Sequence, residues 1–347
     1  MDLVLLAVSF VVILVGSELF TNSIEWFGHK LELGEGAIGS VLAAVGTALP
    51  ETMIPIIAIV FGGGAAGTAI GVGAILGAPF MLSTLAMFVT GTAVLLMRRR
   101  RTNGETLAVD TGVLGHDMAY FAVAYAIAIA AAFLPVEFEW PRRATAVVLL
   151  GIYGFYVVGH LRAEAAAHHN LEPLRFHKLD RRGPQHPEPP RLLIVSVQVV
   201  VSLLCIVGGA WGFVSAVEHL SASLGVNGTL LALVIAPIAT ELPEKLNSVL
   251  WVRRGKDTLA MGNITGAMVF QSAIPTSVGL AFAPAMWSVG GAGLAFGSAL
   301  ITFASSAAIF GPMTIRKRLG ARPLLIGGVF YLAYLLAVVA TLTGFRV

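Results

Sequence analysis

Two related stretches of sequence decide the fold: Gly46-Thr47-Ala48-Leu49-Pro50-Glu51 and Ala239-Thr240-Glu241-Leu242-Pro243-Glu244. A second matching pair, Gly73–Ala78 and Gly262–Ala267, follows them in the same order and at nearly the same spacing. Chance could give one such match, but two in the same order are much harder to obtain by chance. The sequence therefore predicts an internal repeat, a feature of many membrane transporters.

The composition places this repeat in a membrane. Of the 347 residues, 57% are hydrophobic and only 12% are charged, whereas a soluble domain has about 25% charged residues. The mean hydropathy is +0.86. Too few polar groups are present to cover a water-facing surface, so most of the surface is expected to face lipid. The basic residues cluster in short loops, which is typical of membrane topology and not of nucleic-acid binding.

Hydrophobic runs of membrane-spanning length occur ten times along the chain. A bilayer core requires about 20 apolar residues per helix. The predicted spans are 3–22, 36–60, 67–97, 118–135 and 144–162, followed after a polar stretch by 192–219, 228–252, 257–283, 291–312 and 323–344. Five spans per half is an odd number, so two related halves would insert in opposite orientations.

The predicted fold is therefore an all-α polytopic membrane protein, with ten transmembrane helices arranged as two inverted five-helix repeats. The first repeat is expected to be 1–162 and the second 192–347, with 163–191 as a cytoplasmic linker.

Lysine and arginine residues predict the orientation of the spans. With ten spans, 18 of the 22 lysine and arginine residues fall on one side, in loops at Lys30, 98–101, 162–191, 253–256 and 316–322. The other side has only Arg142, Arg143 and Arg346. By the positive-inside rule the more basic side is cytoplasmic, so both termini lie outside. The first span has no basic start and no clear cleavage site, which favours a retained helix over a signal peptide. Short loops without a large regulatory domain favour a bacterial inner (plasma) membrane.

Glu51 and Glu244 are acidic residues near the middle of predicted spans, and each directly follows a proline. A charge at the bilayer centre costs at least ~2.5–3.5 kcal/mol, so such residues usually mark an ion path. Proline frees a backbone carbonyl one turn earlier, and Thr47 and Thr240 add hydroxyls. These oxygens would suit a hard cation. For a single glutamate, a kinked helix with a protonated carboxyl is equally reasonable; the symmetric pair favours a cation site.

Three further polar residues are expected near this site. Asn263 and Gln271 face it if the eighth span packs against the seventh, although amides that pack helices together are nearly as reasonable. Glu241 lies four residues before Lys245, a spacing that suits an ion pair. Lys245 either neutralises Glu241, the favoured interpretation, or replaces a bound cation as a proton-coupled switch.

These residues carry a family resemblance. The Pro-Glu stretches, each followed by a helix centred on Gly-x-x-x-Gly, and Gly16-Ser17-Glu18 resemble the two alpha repeats of the sodium/calcium exchanger (cation/calcium antiporter, CaCA) superfamily. The resemblance implies exchange of calcium or a related cation for sodium or protons, by alternating access around Glu51 and Glu244. It also implies ten helices in two inverted halves. Thr47 and Thr240 would supply hydroxyl or backbone oxygens.

The sequence also departs from the pattern of that superfamily. Its usual serine is replaced by Ala48 in one half and by Glu241 in the other. The partner helices lack polar residues that the superfamily carries, at positions Ala78, Pro79, Leu82, Ala267 and Met268. Calcium prefers six to eight oxygen ligands. The alternatives are therefore a proton-coupled exchanger, a monovalent or other divalent exchanger of the same fold, or a transport-inactive sensor.

An enzyme is not expected, because the chain has no His-Glu-x-x-His or Gly-x-Ser-x-Gly motif and no apparent nucleophile–base pair. The single cysteine, Cys205, excludes a disulfide framework and a cysteine-based metal cluster. No cofactor is expected besides the transported cations, and the expected partners are the lipid bilayer and inorganic cations. Glu18 and Glu25 lie near the predicted end of the first span, where they would reach water or line an entrance.

Overall fold

The computed structural model of the chain describes residues 2–48, 52, 55–56, 59, 65–135, 137, 139–162, 171–179, 189–224, 241–289 and 293–342. Within these ranges the chain is helical apart from loops and one pair of two-residue strands.

The described residues of the first half form five helices. They are α1 (Asp2–Lys30), α2 (Glu35–Thr47), α3 (Ala65–Met81, Leu82–Ala86 and Met87–Met97), α4 (Thr111–Ala130) and α5 (Trp140–Arg162). Two of them contain a π-helical turn, at Ile38–Ala43 in α2 and at Leu82–Ala86 in α3. Such turns interrupt the regular hydrogen-bond ladder and often occur at functional sites.

The described residues of the second half form five more helices. They are α6 (Leu192–Leu224), α7 (Leu242–Arg253), α8 (Asp257–Phe282), α9 (Gly293–Arg316) and α10 (Ala321–Leu342). In the described part of the chain, eight helices are long and apolar enough to cross a membrane, and α2 and α7 are shorter. Parts of the predicted spans 36–60 and 228–252 lie outside the described residues.

The two largest differences from the predicted helix boundaries arise where polar side chains bond to other parts of the chain. Helix α1 continues to Lys30 instead of ending near residue 22. The side chain of Asn22 accepts a hydrogen bond from the backbone N–H of Arg175 at 3.0 Å, and Glu25 accepts one from Trp251 Nε1 at 2.8 Å. Helix α4 begins at Thr111 instead of 118, because Asp110 caps it by accepting from two backbone N–H groups.

The two halves are interleaved through their central helices. Helix α8 is buried along nearly its whole length and packs against α4 and α5 of the first half. In the same way, α3 packs against α9 and α10 of the second half. Each half therefore places one central helix inside the other, and α8 also contacts α2, α3 and α7.

Ionic contacts bring several loops together at one end of the bundle, which we call the linker end. It comprises loops 98–110, 171–179, 253–256 and 317–320 and the C-terminal half of α1. Strands β1 (Thr106–Leu107) and β2 (Leu319–Gly320) pair antiparallel there, and Arg101 Nη1 lies 3.0 Å from Asp257 Oδ1. This strand pair is a small departure from the predicted all-α fold. Arg142 joins the loops at the opposite end by donating to the carbonyl oxygen of Trp287 at 3.1 Å.

Glycines allow two helix pairs to approach closely. A Cβ atom on Gly16 of α1 would lie 3.1 Å from the backbone nitrogen of Ile206, and one on Gly209 of α6 would lie 3.1 Å from that of Ile13. These glycines occupy equivalent positions in the two repeats. Between α2 and α8, a Cβ atom on Gly266 would overlap the carbonyl group of Ser40. The backbones therefore touch at that crossing.

Candidate functional site

The candidate site lies where α7 begins, between α2 and α8. Helix α7 starts at Leu242, with a proline near its first position and Glu241 as the N-cap residue. Proline is favoured there because a backbone N–H at that position would have no acceptor inside the helix, so its loss costs nothing. Glu244 consequently lies in the first turn. The helix dipole favours a negative charge at this end, so the local backbone supports an ionised carboxyl group.

Glu244 is fully buried. Among the described residues, neither of its carboxylate oxygens has a hydrogen-bond partner. Removing an unpaired carboxylate from water costs many kcal/mol, so such a group holds a proton or a cation. The Glu244 carboxyl is therefore chemically suited to bind a positively charged species.

Asn263 connects the end of α2 to the start of α7. The Thr47 hydroxyl has two possible acceptors for its one hydrogen, Asn263 Oδ1 at 3.1 Å and the carbonyl oxygen of Ala43 at 3.0 Å. Asn263 Nδ2 donates to the carbonyl oxygen of Glu244 at 3.3 Å. All three polar side chains are fully buried. The structure thus brings together Thr47, Asn263 and Glu244, three of the residues predicted for the site.

Gln271 lies two turns further along α8 and reaches the next described part of the first half. Its Nε2 donates to Thr52 Oγ1 at 3.3 Å, and the Thr52 hydroxyl donates to the carbonyl oxygen of Ala48 at 2.6 Å. Helix α8 therefore contacts the first Pro-Glu stretch on both sides of 49–51. Two more of the predicted site residues, Glu51 and Thr240, lie outside the described residues.

Glu241 and Lys245 form the ion pair that their spacing predicts. Lys245 Nζ lies 2.8 Å from Glu241 Oε2, and both side chains are buried. The ammonium group also follows Glu244 directly in sequence. The arrangement agrees with the favoured interpretation that Lys245 neutralises Glu241.

Helix α3 has apolar residues at two positions that the sequence resemblance marks as usually polar. Ala78 and Leu82 occupy these positions, and both are buried. Gln271, at the position on α8 that corresponds to Leu82, is also buried. The side chains of Thr47, Glu244 and Asn263 lie on α2, α7 and α8.

A second buried polar cluster was not predicted from the sequence. Asp117 of α4 is fully buried and accepts hydrogen bonds at Oδ2 from the hydroxyls of Ser40 (2.7 Å) and Thr265 (2.6 Å). Its Oδ1 accepts one from the Tyr156 hydroxyl at 3.0 Å and lies 2.9 Å from His160 Nε2. Asp117 was missed because the fourth span was predicted to begin at 118, which left the residue in a loop. The acidic residue one position before an apolar run was the available signal.

Glu18 and Glu25 lie at the linker end. Glu18 pairs with Arg175 at 2.9 Å and with Arg254 at 2.7 Å. Glu25 is buried and pairs with Lys256. These acidic side chains therefore join α1 to the linker and to the α7–α8 loop, instead of simply reaching water.

Two comparisons with solved structures support the fold. The solved sodium-calcium exchanger NCX_Mj, soaked with zero Na⁺ and Ca²⁺, is 17% identical with a TM-score of 0.70, covering 97% of this chain and 98% of that one. The same exchanger soaked with Na⁺ and Ca²⁺ is 16% identical with a TM-score of 0.68, covering 98% of each chain. These structures share the fold, which confirms the predicted helical membrane architecture.

The sequence comparisons identify the family. The chain is 29% identical to the Putative antiporter CaxA of Alkalimonas amylolytica over 107 residues, which is 31% of this chain and 34% of that protein. The chain thus matches about a third of the length of that relative. The model of the family described as Sodium/calcium exchanger protein matches residues 1–161 and 194–343. Because these two segments cover both halves, the chain belongs to the sodium/calcium exchanger protein family, whose members are membrane cation antiporters and not enzymes.

Proposed function

We propose that the chain exchanges calcium or a related cation for sodium or protons, by alternating access at a midplane site formed by Glu51 and Glu244. Thr47, Thr240, Asn263 and Gln271 supply further oxygens, and Glu241 is held by Lys245. The observation that carries this proposal is the fully buried Glu244 carboxyl, which has no hydrogen-bond partner among the described residues. A carboxyl in that position, in the first turn of a helix, binds and releases cations instead of serving as a packing group.

The counter-ion is the less constrained part of the proposal. A site for one divalent and several sodium ions needs many oxygen ligands, and Ala78 and Leu82, at positions that the sequence resemblance marks as usually polar, supply none. Lys245 is paired with Glu241, which leaves Glu241 unavailable as a free carboxylate ligand. These two features favour a smaller ion load, such as one cation exchanged for protons or for fewer sodium ions.

We further propose that residues 1–162 and 192–347 are the two inverted repeats, joined by a cytoplasmic linker at 163–191. The linker end would face the cytoplasm of a bacterium, with both termini outside. The concentration of arginine and lysine in the loops of the linker end supports this orientation.

A flux assay tests the transport proposal directly. The purified protein in liposomes is given imposed sodium or pH gradients, and uptake of calcium, manganese, magnesium and sodium is measured separately. We expect divalent uptake driven by one of the two gradients. If neither gradient drives uptake of any of these ions, the antiporter proposal is wrong, and a transport-inactive sensor becomes the better interpretation.

Cation-dependent stabilisation tests the site itself. A ligand that binds only the folded state raises its stability in proportion to the logarithm of the ligand concentration. We expect calcium or its replacement to raise the unfolding temperature of the wild type, and this shift to disappear in Glu51→Gln and Glu244→Gln. The same variants should lower flux at least about tenfold, since even outer-shell partners of metal ligands have effects of that size. Glu137→Gln is the matched control because Glu137 is exposed; an unchanged shift in both site variants would contradict the site.

A further inference from the structure

The buried polar cluster around Asp117, which we call the Asp117 cluster, includes three side chains that can bind a metal ion. His116, Asp117 and His160 each offer a ligand atom, and these atoms all lie within 4.8 Å of one another. His116 and His160 meet edge to face, with ring centroids 5.1 Å apart. His116 also stacks on Tyr156, the residue whose hydroxyl binds Asp117. Two imidazoles and one carboxylate therefore converge at one point between α4 and α5.

We propose that His116, Asp117 and His160 bind a borderline divalent metal ion of the zinc, cobalt and nickel class, at a site separate from the candidate transport site. Two histidine nitrogens and one carboxylate oxygen form a ligand set that such ions prefer, with water completing the coordination. Calcium and magnesium ions would bind poorly here, because they prefer sites with only oxygen ligands and more of them. The site thus differs in ion class from the oxygen-rich site at Glu244.

The geometry requires little rearrangement. Ligands of a tetrahedral zinc ion lie about 3.3 Å from one another, given bonds of about 2 Å. His160 Nε2 and Asp117 Oδ1 are already 2.9 Å apart, so a small widening would admit the ion. His116 is exposed, which lets its ring rotate towards the ion and provides an entry path. On binding, the ion replaces the hydrogen bond between His160 and Asp117, and the proton of His160 Nε2 moves through water to Nδ1, so that the ring stays neutral and Nε2 is free to bind the metal.

The surroundings of Asp117 match those of a metal-ligating carboxylate. Its Oδ2 is held by two hydroxyls, from Ser40 of α2 and Thr265 of α8. The Tyr156 hydroxyl shares its one hydrogen between Oδ1 at 3.0 Å and the carbonyl oxygen of Ser40 at 3.1 Å. Such outer hydrogen bonds orient a ligand before the metal arrives. Since Ser40 and Thr265 lie on helices that also form the candidate transport site, the bound ion connects four helices.

Cobalt provides the test, because protein-bound Co²⁺ absorbs visible light according to its ligands. The titration uses the Glu244→Gln variant, so that the candidate transport site contributes little. We expect a visible absorption band that saturates at one Co²⁺ per chain and is displaced by Zn²⁺, together with a higher unfolding temperature. His116→Ala and His160→Gln should weaken binding at least about tenfold, and Tyr156→Phe about 10–100-fold.

His29→Ala is the control, since His29 lies on α1 near its end and outside the cluster; it should leave the titration unchanged. A band of equal intensity and affinity in His116→Ala and His160→Gln would overturn the proposal, as would the absence of any saturable band. Because the readout is binding in a transport-site variant, its failure leaves the proposed antiport untouched. A failed flux assay likewise leaves this metal site standing.

Discussion

At the scale of single residues, one of the carboxylates at the candidate site is balanced by a lysine side chain. Glu241 and Lys245 form a buried ion pair at 2.8 Å, so their charges largely cancel. Glu244 lies one helical turn from Glu241 and has no hydrogen-bond partner among the described residues. Of the two described carboxyl groups at the start of α7, Glu244 is therefore the one available to bind a cation.

The Lys245→Met variant tests this division of roles. Removing one member of a buried ion pair leaves the other charge uncompensated, which costs up to about 3–5 kcal/mol. We expect Lys245→Met to lower the unfolding temperature strongly in detergent. The double variant Glu241→Gln/Lys245→Met removes both charges, and replacing a whole buried pair is often nearly neutral. Thermal unfolding of the two variants side by side measures the difference.

Cation-dependent stabilisation separates the two interpretations of Lys245. If the lysine only neutralises Glu241, the double variant keeps the calcium-dependent shift of the wild type. If instead the ammonium occupies the place of a bound cation, the double variant gains or loses a cation-dependent shift. A double variant as unstable as Lys245→Met would contradict the simple ion-pair account.

At the scale of helices, glycines decide which elements can touch. Helices α2 and α8 cross with direct backbone contact at Gly266 and Ser40. The same crossing lies between the two polar clusters, because Ser40 bonds to Asp117 and Thr47, two turns later on α2, bonds to Asn263. The distance between these two helices therefore sets the geometry of both clusters.

The Gly266→Ala variant tests this packing. The added Cβ would overlap the Ser40 carbonyl, and overpacking of this kind typically costs about 1–3 kcal/mol or more. We expect a lower unfolding temperature and a smaller monodisperse fraction in size-exclusion chromatography. Gly297→Ala on α9 is the matched control, because a Cβ there meets no atom within 4 Å. The stability of the Gly297→Ala variant should be unchanged or higher by up to about 1 kcal/mol. An equal loss of unfolding temperature in both variants would contradict the packing argument.

Much of this element-level architecture could be predicted from the sequence. Hydrophobic runs predict α3, α5, α6, α8, α9 and α10 to within a few residues, because an apolar helix in lipid must be about as long as the bilayer is thick. The repeat of the Pro-Glu stretches predicts the duplicated fold. The last two turns of α1 were missed because Asn22 and Glu25 look like span ends in sequence. Only tertiary partners such as Trp251 make their burial possible.

The candidate site was predictable in part, for a related reason. Thr47, Asn263 and Glu244 could be brought together because repeat symmetry and helix order place them on adjacent helices. The Asp117 cluster was not predicted, because its members come from four helices and have no repeated motif. Asp117, Ser40, Thr265 and Tyr156 come together only when α8 of the second half packs against α2, α4 and α5 of the first.

At the scale of the whole molecule, the linker end is closed by ionic contacts between distant parts of the chain. Glu25 of α1 pairs with Lys256 and accepts a hydrogen bond from Trp251, and Glu18 pairs with Arg254. These contacts join α1 to the loop that connects α7 and α8. Under the proposed alternating access, each end must open in turn, and opening the linker end would require these pairs to separate.

The Glu25→Gln variant should therefore shift the protein towards a state open at the linker end. Losing about 1.4 kcal/mol of ionic stabilisation would raise the open population roughly tenfold. The reporter is Ser23→Cys in a Cys205→Ser background, because Ser23 is fully buried on α1 and the chain has a single cysteine. We expect maleimide to label this cysteine faster in proportion to the open population.

Glu139→Gln is the matched control, since it breaks an exposed pair with Arg143 at the opposite end, where opening cannot expose residue 23. Equal labelling rates in Glu25→Gln, Glu139→Gln and the parent protein would mean that these ion pairs do not hold the linker end closed.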